Sequence, residues 1–468
     1  MRASIPRRVP LAGLIVACVL VALAAGYGRR VWIRGFFGDG PERVPASSTS
    51  AATSPPLAPV RVLLIDGLRA DFADGLPELA RACDGGERLT VDVGFPTVSL
   101  PVQHVLWTGR TQQESGVLYR IPRLEAAPAD ALPALVPGSS AVAESHVDII
   151  HSFGFTRSVP ASEDEVDEAW RREGFFASAR EAVASEAPLV FVHALRVDEA
   201  GHAEGASSVR YREAAESIDA ALPGWLAERP DATWYVTADH GHRDGGGHGG
   251  SDEDLRRVRA CRFGAGVTAT TEIRALSLPA FANELRSVLG VAPTRVNEPV
   301  ELPGPGGARW FGAAVLWALG LGLVLRQRVS VGLFSLFASA LGFVLIEGWP
   351  SLSIPAVYPP LGRDAAVFGL AGPLLLALVA LRREGGEDHP HDRWLLGALA
   401  PGVAFALGAH VLAGTPAWLF GGAPPLTPAW TAWASVSSVW LAAGAATLAF
   451  ALALRGLLDA LARRRKSS

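Results

Sequence analysis

Residues Thr237–Gly250 read TADHGHRDGGGHGG. Two aspartates and three histidines crowd into this stretch, and glycine supplies most of the rest. Asp239 and His240 are adjacent, and His248 follows eight residues after His240 inside a glycine run. The apolar run WYVTA precedes the pair and is long enough for a buried strand. Asp239 and His240 are therefore expected just past the carboxyl end of a strand, where open α/β sheets bind their ligands. Carboxylate beside imidazole suits zinc or a similar divalent ion. Glycine lets the backbone turn tightly and approach a bound group. Taken alone, the stretch also reads as a polar, glycine-rich surface loop.

Three other segments change that balance. VLLIDGLRAD ends an apolar strand at Asp66, followed by Gly67. That is a usual place for a ligand carboxylate, and equally for a turn-forming Asp-Gly pair. FPTVSLPVQH sets the hydroxyls of Thr97 and Ser99 between two prolines. Either reads as a loop residue, or as a nucleophile whose alkoxide a metal would favour. In VDEAGH, Asp198 follows the strand-like run APLVFVHALRV, and His202 comes four residues later. One helical turn would put both on one face, as a pair of metal ligands requires. Short apolar runs alternate with helical stretches such as 209–229 from about residue 60 to 300, which implies an α/β sheet.

Composition bounds the rest. The chain has 468 residues, 49% of them hydrophobic, and a net charge of -4. Its mean hydropathy is +0.25, high for a soluble protein. The charge argues against general nucleic-acid binding. Three cysteines, Cys18, Cys83 and Cys261, are too few for a disulfide framework or a zinc ribbon. Cys18 lies in an apolar run; Cys83 and Cys261 read equally as a pair or as two unrelated thiols.

Residues 1–37 hold Arg2, Arg7 and Arg8 before an apolar run from Val9 to about Gly28. This approaches the roughly 20 residues a spanning helix needs. It reads as an uncleaved signal anchor, although Ala22-Leu23-Ala24 offers a cleavage site. Residues 38–59 form a Pro/Ser/Ala-rich linker. Five further apolar spans, at about 310–325, 329–346, 365–381, 394–413 and 430–454, predict an all-α membrane region over 309–455, followed by a basic tail at 456–468. Arg326 and Arg328, then Arg382, Arg383 and Arg393, then Arg455, Arg463, Arg464, Arg465 and Lys466 occupy alternate loops. The positive-inside rule makes those loops cytoplasmic. Both termini are then cytoplasmic, and the 60–300 domain lies on the other side of the membrane.

In their order, the four polar segments resemble the alkaline phosphatase superfamily of phosphatases, phosphodiesterases and sulfatases. The resemblance implies an alkaline phosphatase-like sheet flanked by helices and two divalent metals, zinc or else manganese, around a hydroxyl nucleophile. It assigns Asp66, Ser99, Asp239 and His240 to one metal, and Asp198, His202 and His248 to the other. It selects Ser99, followed by Leu100-Pro101, as the nucleophile over Thr97. DGLRAD and the eight residues from His240 to His248 resemble the GPI ethanolamine-phosphate transferases, as does the layout of anchor, outer domain and membrane helices. The resemblance implies transfer of phosphoethanolamine or a similar group from a membrane lipid or other phosphate ester. The alternative is an anchored hydrolase that uses water. A sulfatase needs an arginine that Ser99-Leu100-Pro101-Val102-Gln103 lacks. His242 stands where the transferases usually have Met, and Val102 where some phosphodiesterases have a phosphate-binding Asn, so Gln103 or a backbone N–H is expected to contact the phosphate. Arg69, Asp71 and Asp219 are expected to support the ligands, whereas His104, His146, His151 and His193 match no motif position and read as structural or surface residues.

Overall fold

Eight strands, among the described residues, form a single sheet. They are β1 (Val60–Ile65), β2 (Glu87–Asp92), β3 (Ser140–Ala143), β4 (Arg157–Val159), β5 (Leu189–Ala194), β6 (Thr233–Thr237), β7 (Arg257–Gly264) and β8 (Ile273–Ser277). Their order across the sheet is β4-β3-β5-β1-β6-β7-β2-β8. Every position of β1, β5 and β6 is buried. That follows from their near-continuous apolar sequences, which suit a sheet covered by helices on both faces. β1 pairs in parallel with β5 and with β6. β7 runs antiparallel to both β6 and β2, so β2 points the same way as β6. The carboxyl ends of β1, β2, β5 and β6 therefore lie along one rim of the sheet.

The structure is a computed structural model and describes residues 11–38, 58–115, 117, 127–145, 150, 152–159, 170–250, 252–294, 307–326, 403–404, 406–412 and 428–467. Contacts divide the chain into two units, Phe36–Glu301 and the pair of segments Met1–Gly35 and Leu302–Ser468. The sheet belongs to the first. The second includes most of the helix Leu11–Gly38 and the helices Gly307–Arg326 and Pro428–Ser467. The apolar runs at 9–28, 310–325 and 430–454 fall largely on these helices. The runs at 329–346 and 365–381, with most of the first half of 394–413, lie outside the described residues, as do His146, His151 and most of the linker. Among the described residues no helix is long and apolar enough to cross a membrane. His410 Nε2 lies 2.9 Å from Ser438 Oγ, so this histidine is hydrogen-bonded.

Two long-range ties hold the sheet to its helices. Cys83 and Cys261 form a disulfide, their Cα atoms 5.4 Å apart. It links the helix Pro77–Asp84 to β7 and resolves the pairing that the sequence left open. Arg61, wholly buried in β1, donates to Val183 O (2.9 Å), Val60 O (3.1 Å), Ala187 O (3.0 Å) and Ser185 O (2.7 Å). It thus satisfies carbonyls at and beyond the end of the helix Phe175–Ala184. Burial pulls its pKa down to about 10, which leaves it charged at neutral pH. An Arg61→Leu variant strands these carbonyls. It is expected to lose about 2–4 kcal/mol of stability, measured as a lower urea midpoint at unchanged slope. Lysine should recover little of it, because one ammonium cannot reproduce the planar fork.

Asp219 departs from its expected role. Its carboxylate accepts from the backbone N–H groups of Glu78 (3.0 Å) and Leu79 (2.7 Å). It caps the helix Pro77–Asp84 instead of supporting the ligand residues. Proline at the first position of that helix and a leucine before it leave no local side chain to do so.

Candidate metal centre

The rim of the sheet gathers the polar segments. Asp66 follows β1 directly, and its N–H donates to Ala194 O at 2.9 Å. Asp239 and His240 follow β6 after Ala238. The helix Arg196–Glu204 starts just after β5 and carries Asp198 and His202. Ser99 opens the helix Ser99–Thr108, in the connection that leaves β2. Asp66, Asp239 and His240 are fully buried; Asp198 and His248 nearly so. Gly246, Gly247 and Gly249 all take positive φ, which lets the glycine run fold back and return His248 to this rim.

Two overlapping groups of ligand-type side chains result. One is Asp198, His202, His242 and His248; the other is Asp66, Asp198 and His240. In the first, His202 Nε2 lies 3.5 Å from Asp198 Oδ2, and His248 Nε2 lies 3.5 Å from Asp198 Oδ1. The Nε2 atoms of His202 and His248 are 3.0 Å apart. In the second, His240 Nε2 lies 3.5 Å from Asp66 Oδ1 and 4.0 Å from Asp198 Oδ1. Ser99 Oγ joins it, 3.2 Å from His240 Nε2 and 3.4 Å from Asp66 Oδ1. Asp239 sits at the edge, its Oδ2 3.8 Å from His240 Nε2. Its Oδ1 accepts from Gly67 N–H (3.1 Å) and His240 N–H (3.0 Å). Asp198 therefore stands between the two groups, a placement its sequence spacing did not reveal.

The imidazoles are oriented by backbone carbonyls. His240 Nδ1 donates to Gly241 O at 3.1 Å, and His248 Nδ1 donates to Thr97 O at 2.8 Å. With Nδ1 so engaged, each ring turns its Nε2 toward the carboxylates. Burial, reinforced by the His240 imidazole, holds His248 well below its usual pKa, so it stays neutral. Burial opposes charge on Asp198, but the hydrogen bond from His242 and attraction to the surrounding imidazoles keep its carboxyl well below the usual range. Imidazole nitrogens and carboxylate oxygens converging on shared points form a donor set suited to divalent cations. Second-sphere bonds that fix the ring tautomer are a regular accompaniment of such sites.

Thr97 and Ser99 are distinguished by their partners. Thr97 Oγ1 donates to Gly250 O (2.8 Å) and accepts from Gly249 N–H (3.0 Å). It is buried and ties down the glycine loop. Ser99 is partly exposed and faces the second group.

Two residues around the site, His193 and Glu144, lacked a sequence signal, whereas Gln103 and Arg69 carried one. His193 lies inside the apolar strand β5, yet its Nε2 is 2.8 Å from Asp66 Oδ2, which turns the other oxygen toward Ser99. Its position in an apolar run concealed this. Removing that donor, as in His193→Phe, is expected to weaken metal binding roughly 10- to 100-fold, measured by competition with a chelating dye. Gln103 is buried with its amide nitrogen 3.4 Å from Asp239 Oδ2, so it braces the Asp239 carboxylate. Glu144 accepts from the N–H groups of Leu195 (2.9 Å) and Arg196 (3.0 Å), capping the helix that bears Asp198 and His202. Arg69 supports the site indirectly. Its N–H donates to Tyr211 Oη, which donates to Gly67 O, and its guanidinium spans Asp71 and Asp244.

No family model matches the chain. It is 32% identical over 90 residues to GPI ethanolamine phosphate transferase 1 of Schizosaccharomyces pombe, covering 18% of this chain and 10% of that protein. It is 28% identical over 111 residues to the enzyme of the same name from Yarrowia lipolytica, covering 22% and 12%. The chain thus spans about a tenth of the length of the curated relatives it matches. Among solved structures, it is similar to murine ectonucleotide pyrophosphatase/phosphodiesterase 5 (15% identity, TM-score 0.42, 51% of this chain and 97% of that one). It is also similar to a Vibrio parahaemolyticus protein of the alkaline phosphatase superfamily (15%, TM-score 0.41, 63% and 79%).

Proposed function

We propose that the chain is a membrane-bound, metal-dependent phosphotransferase of the alkaline phosphatase type, which passes phosphoethanolamine or a similar group through Ser99. The observation that carries this reading is the placement of Ser99 Oγ within 3.4 Å of both Asp66 and His240, at the rim where Asp198, His202 and His248 also meet. The short resemblance to ethanolamine phosphate transferases supports the choice of group.

In this reading Asp66, Ser99, Asp239 and His240 hold one divalent ion, and Asp198, His202 and His248 the other; zinc is the first candidate. Bound ions supply charge to neutralise the phosphoryl oxygens and the reacting alkoxides. The residues of the chain do the positioning, which is most of what phosphoryl transfer requires. Ser99 Oγ attacks phosphorus, the bond from phosphorus to the donor's alcohol oxygen breaks, and the Ser99 proton ends on the departing alcohol. A second alcohol then takes the group from Ser99 and returns a proton to Oγ. The first turn of the helix Ser99–Thr108 aims its positive end, with the N–H groups of Ser99 and Leu100, at the transferring group. Pro101 contributes no N–H.

The anchor and the C-terminal apolar helices fix the enzyme in a membrane, with the 60–300 domain outside the cytoplasm and both termini inside. The Cys83–Cys261 disulfide supports an oxidising location for that domain. The test is acceptor capture. Detergent-purified protein is given a phosphate-ester donor with and without an added alcohol. Transfer to the alcohol supports the transferase, whereas release to water alone, at any alcohol concentration, identifies an anchored hydrolase.

A further inference from the structure

The rim holds a further set of charged side chains, on the β3 side of the metal centre. β3 runs parallel to β5, with Ala143 opposite His193, so Glu144 and Ser145 leave the sheet at the rim where Asp66 and Asp198 lie. The π-helical turn Trp170–Gly174 brings Arg171 Nη2 to 3.4 Å from Ser145 Oγ. Glu144, Arg171, Arg196 and Glu199 thus stand together, and two of them are spent inside the fold. Both oxygens of Glu144 are taken: Oε2 accepts from the N–H groups of Leu195 and Arg196, and Oε1 from Arg196 Nε at 2.8 Å. Arg196 also donates to Ser217 Oγ and Arg171 O, and its guanidinium lies 4.3 Å from the centroid of the Phe176 ring.

Glu199 is different. Its Oε2 accepts from Arg171 Nη1 at 2.5 Å, and among the described residues its Oε1 has no hydrogen bond. The side chain is 36% exposed. A carboxylate can accept about four hydrogen bonds, so this one keeps most of its capacity and offers it to solvent. Glu199 follows Asp198 and precedes His202 by three residues on the helix Arg196–Glu204. Positions three apart are neighbours on a helix surface. Glu199 therefore flanks His202, itself partly exposed, on the open side of the Asp198–His202–His248 group.

We infer that Glu199 is a specificity-determining residue that receives the cationic end of the substrate: the primary ammonium of a 2-aminoethyl phosphate ester whose phosphate lies at the metal centre. This rests on the function proposed above and says which esters that site prefers. The metal centre suits the anionic phosphate, and the open carboxylate beside it suits the cation on the short arm. Arg171 holds Glu199 by one oxygen and leaves the other for the ligand. The recognised group is the same whether it arrives on a lipid or on a soluble ester.

The test gives metal-loaded, detergent-purified full chain matched esters with and without the amine. One pair is 2-aminoethyl and ethyl 4-nitrophenyl phosphate, followed by nitrophenolate release. The other is phosphatidylethanolamine and phosphatidylethanol in mixed micelles, followed by diacylglycerol release. The parent should favour the amine in kcat/KM roughly tenfold, the size of one charge-assisted hydrogen bond at a partly exposed position, with the difference mainly in KM. Preference in both pairs means that the headgroup suffices; preference in one pair alone identifies the lipid or the soluble ester as the source. In Glu199→Gln, compared at equal metal content, the preference should vanish. Arg171→Gln breaks the same ion pair but keeps the carboxylate, so there the preference should persist or rise. No preference in the parent, an unchanged preference in Glu199→Gln, or equal loss of it in both variants would overturn the proposal. The last result would make the pair merely structural. A metal-loaded parent that turns over none of these esters would instead defeat the phosphotransferase reading, and the proposal with it.

Discussion

Replacing Ser99 by alanine is expected to lower turnover of a phosphate-ester donor by roughly a thousandfold or more while leaving the fold and the metal content intact. The magnitude is that of removing a nucleophile from a site whose other parts still bind and polarise the substrate. The hydroxyl is the one group of Ser99 that faces Asp66 and His240, and the carboxylate and imidazole remain in Ser99→Ala. Metal analysis of the variant should therefore match the parent. Thr97 cannot take over, since its hydroxyl is tied to Gly249 and Gly250. Near-parental turnover in Ser99→Ala would remove the covalent route from the account.

Metal removal should have an effect of similar size on activity and an additional one on stability. Ions at such a site supply several kcal/mol of transition-state stabilisation, which corresponds to about a thousandfold in rate for each 4 kcal/mol. Without them, Asp66 and Asp198 are buried carboxylates separated mainly by imidazoles. A chelated sample should therefore also melt lower, and zinc at about a thousand times its dissociation constant should restore about 4 kcal/mol. Acid should act in the same direction. The pKa of His248 is depressed in the folded protein from its ordinary 6.5. Its contribution to stability is complete above that value and is lost as the pH falls below it. Asp198, held below its ordinary 3.8, contributes fully above that value and loses its contribution as the pH falls through its folded pKa. Unfolding midpoints measured at intervals from pH 8 to pH 3 should thus decline first below about 6.5 and again below about 3.8. A flat profile across the upper window would contradict the neutral state of His248.

Much of the site was legible because strand ends are legible. The apolar runs that became β1, β5 and β6 are short, nearly continuous and followed closely by Asp66, by Asp198 and by Asp239-His240. Parallel strands in one sheet bring such ends to one rim whatever their order in the chain. The less legible parts depend on contacts between distant segments. Asp198 stands between both groups because β5 and β6 flank β1, a neighbour relation that no local pattern encodes. His193 was hidden inside a run that reads as core, and only the register of β5 against β1 brings it to Asp66. The His242 ring packs against both Gly67 and Gly201, where a Cβ would lie 2.9 Å and 2.6 Å from ring atoms, and no local pattern joins those two glycines. Asp219 shows the reverse error, since a carboxylate on a nearby helix was drawn to bare backbone N–H groups. The Cys83–Cys261 pair spans 178 residues, so spacing held no information about it.

The most direct test of the central claim is the mass of the peptide containing Ser99 after metal-loaded, detergent-purified protein meets phosphatidylethanolamine and is quenched in acid. The account predicts a fraction of that peptide heavier by one phosphoethanolamine, lost on adding an acceptor alcohol and absent from Ser99→Ala and from chelated protein. Product formation with Ser99 unmodified at every time point, in protein shown to hold its metals, would contradict it.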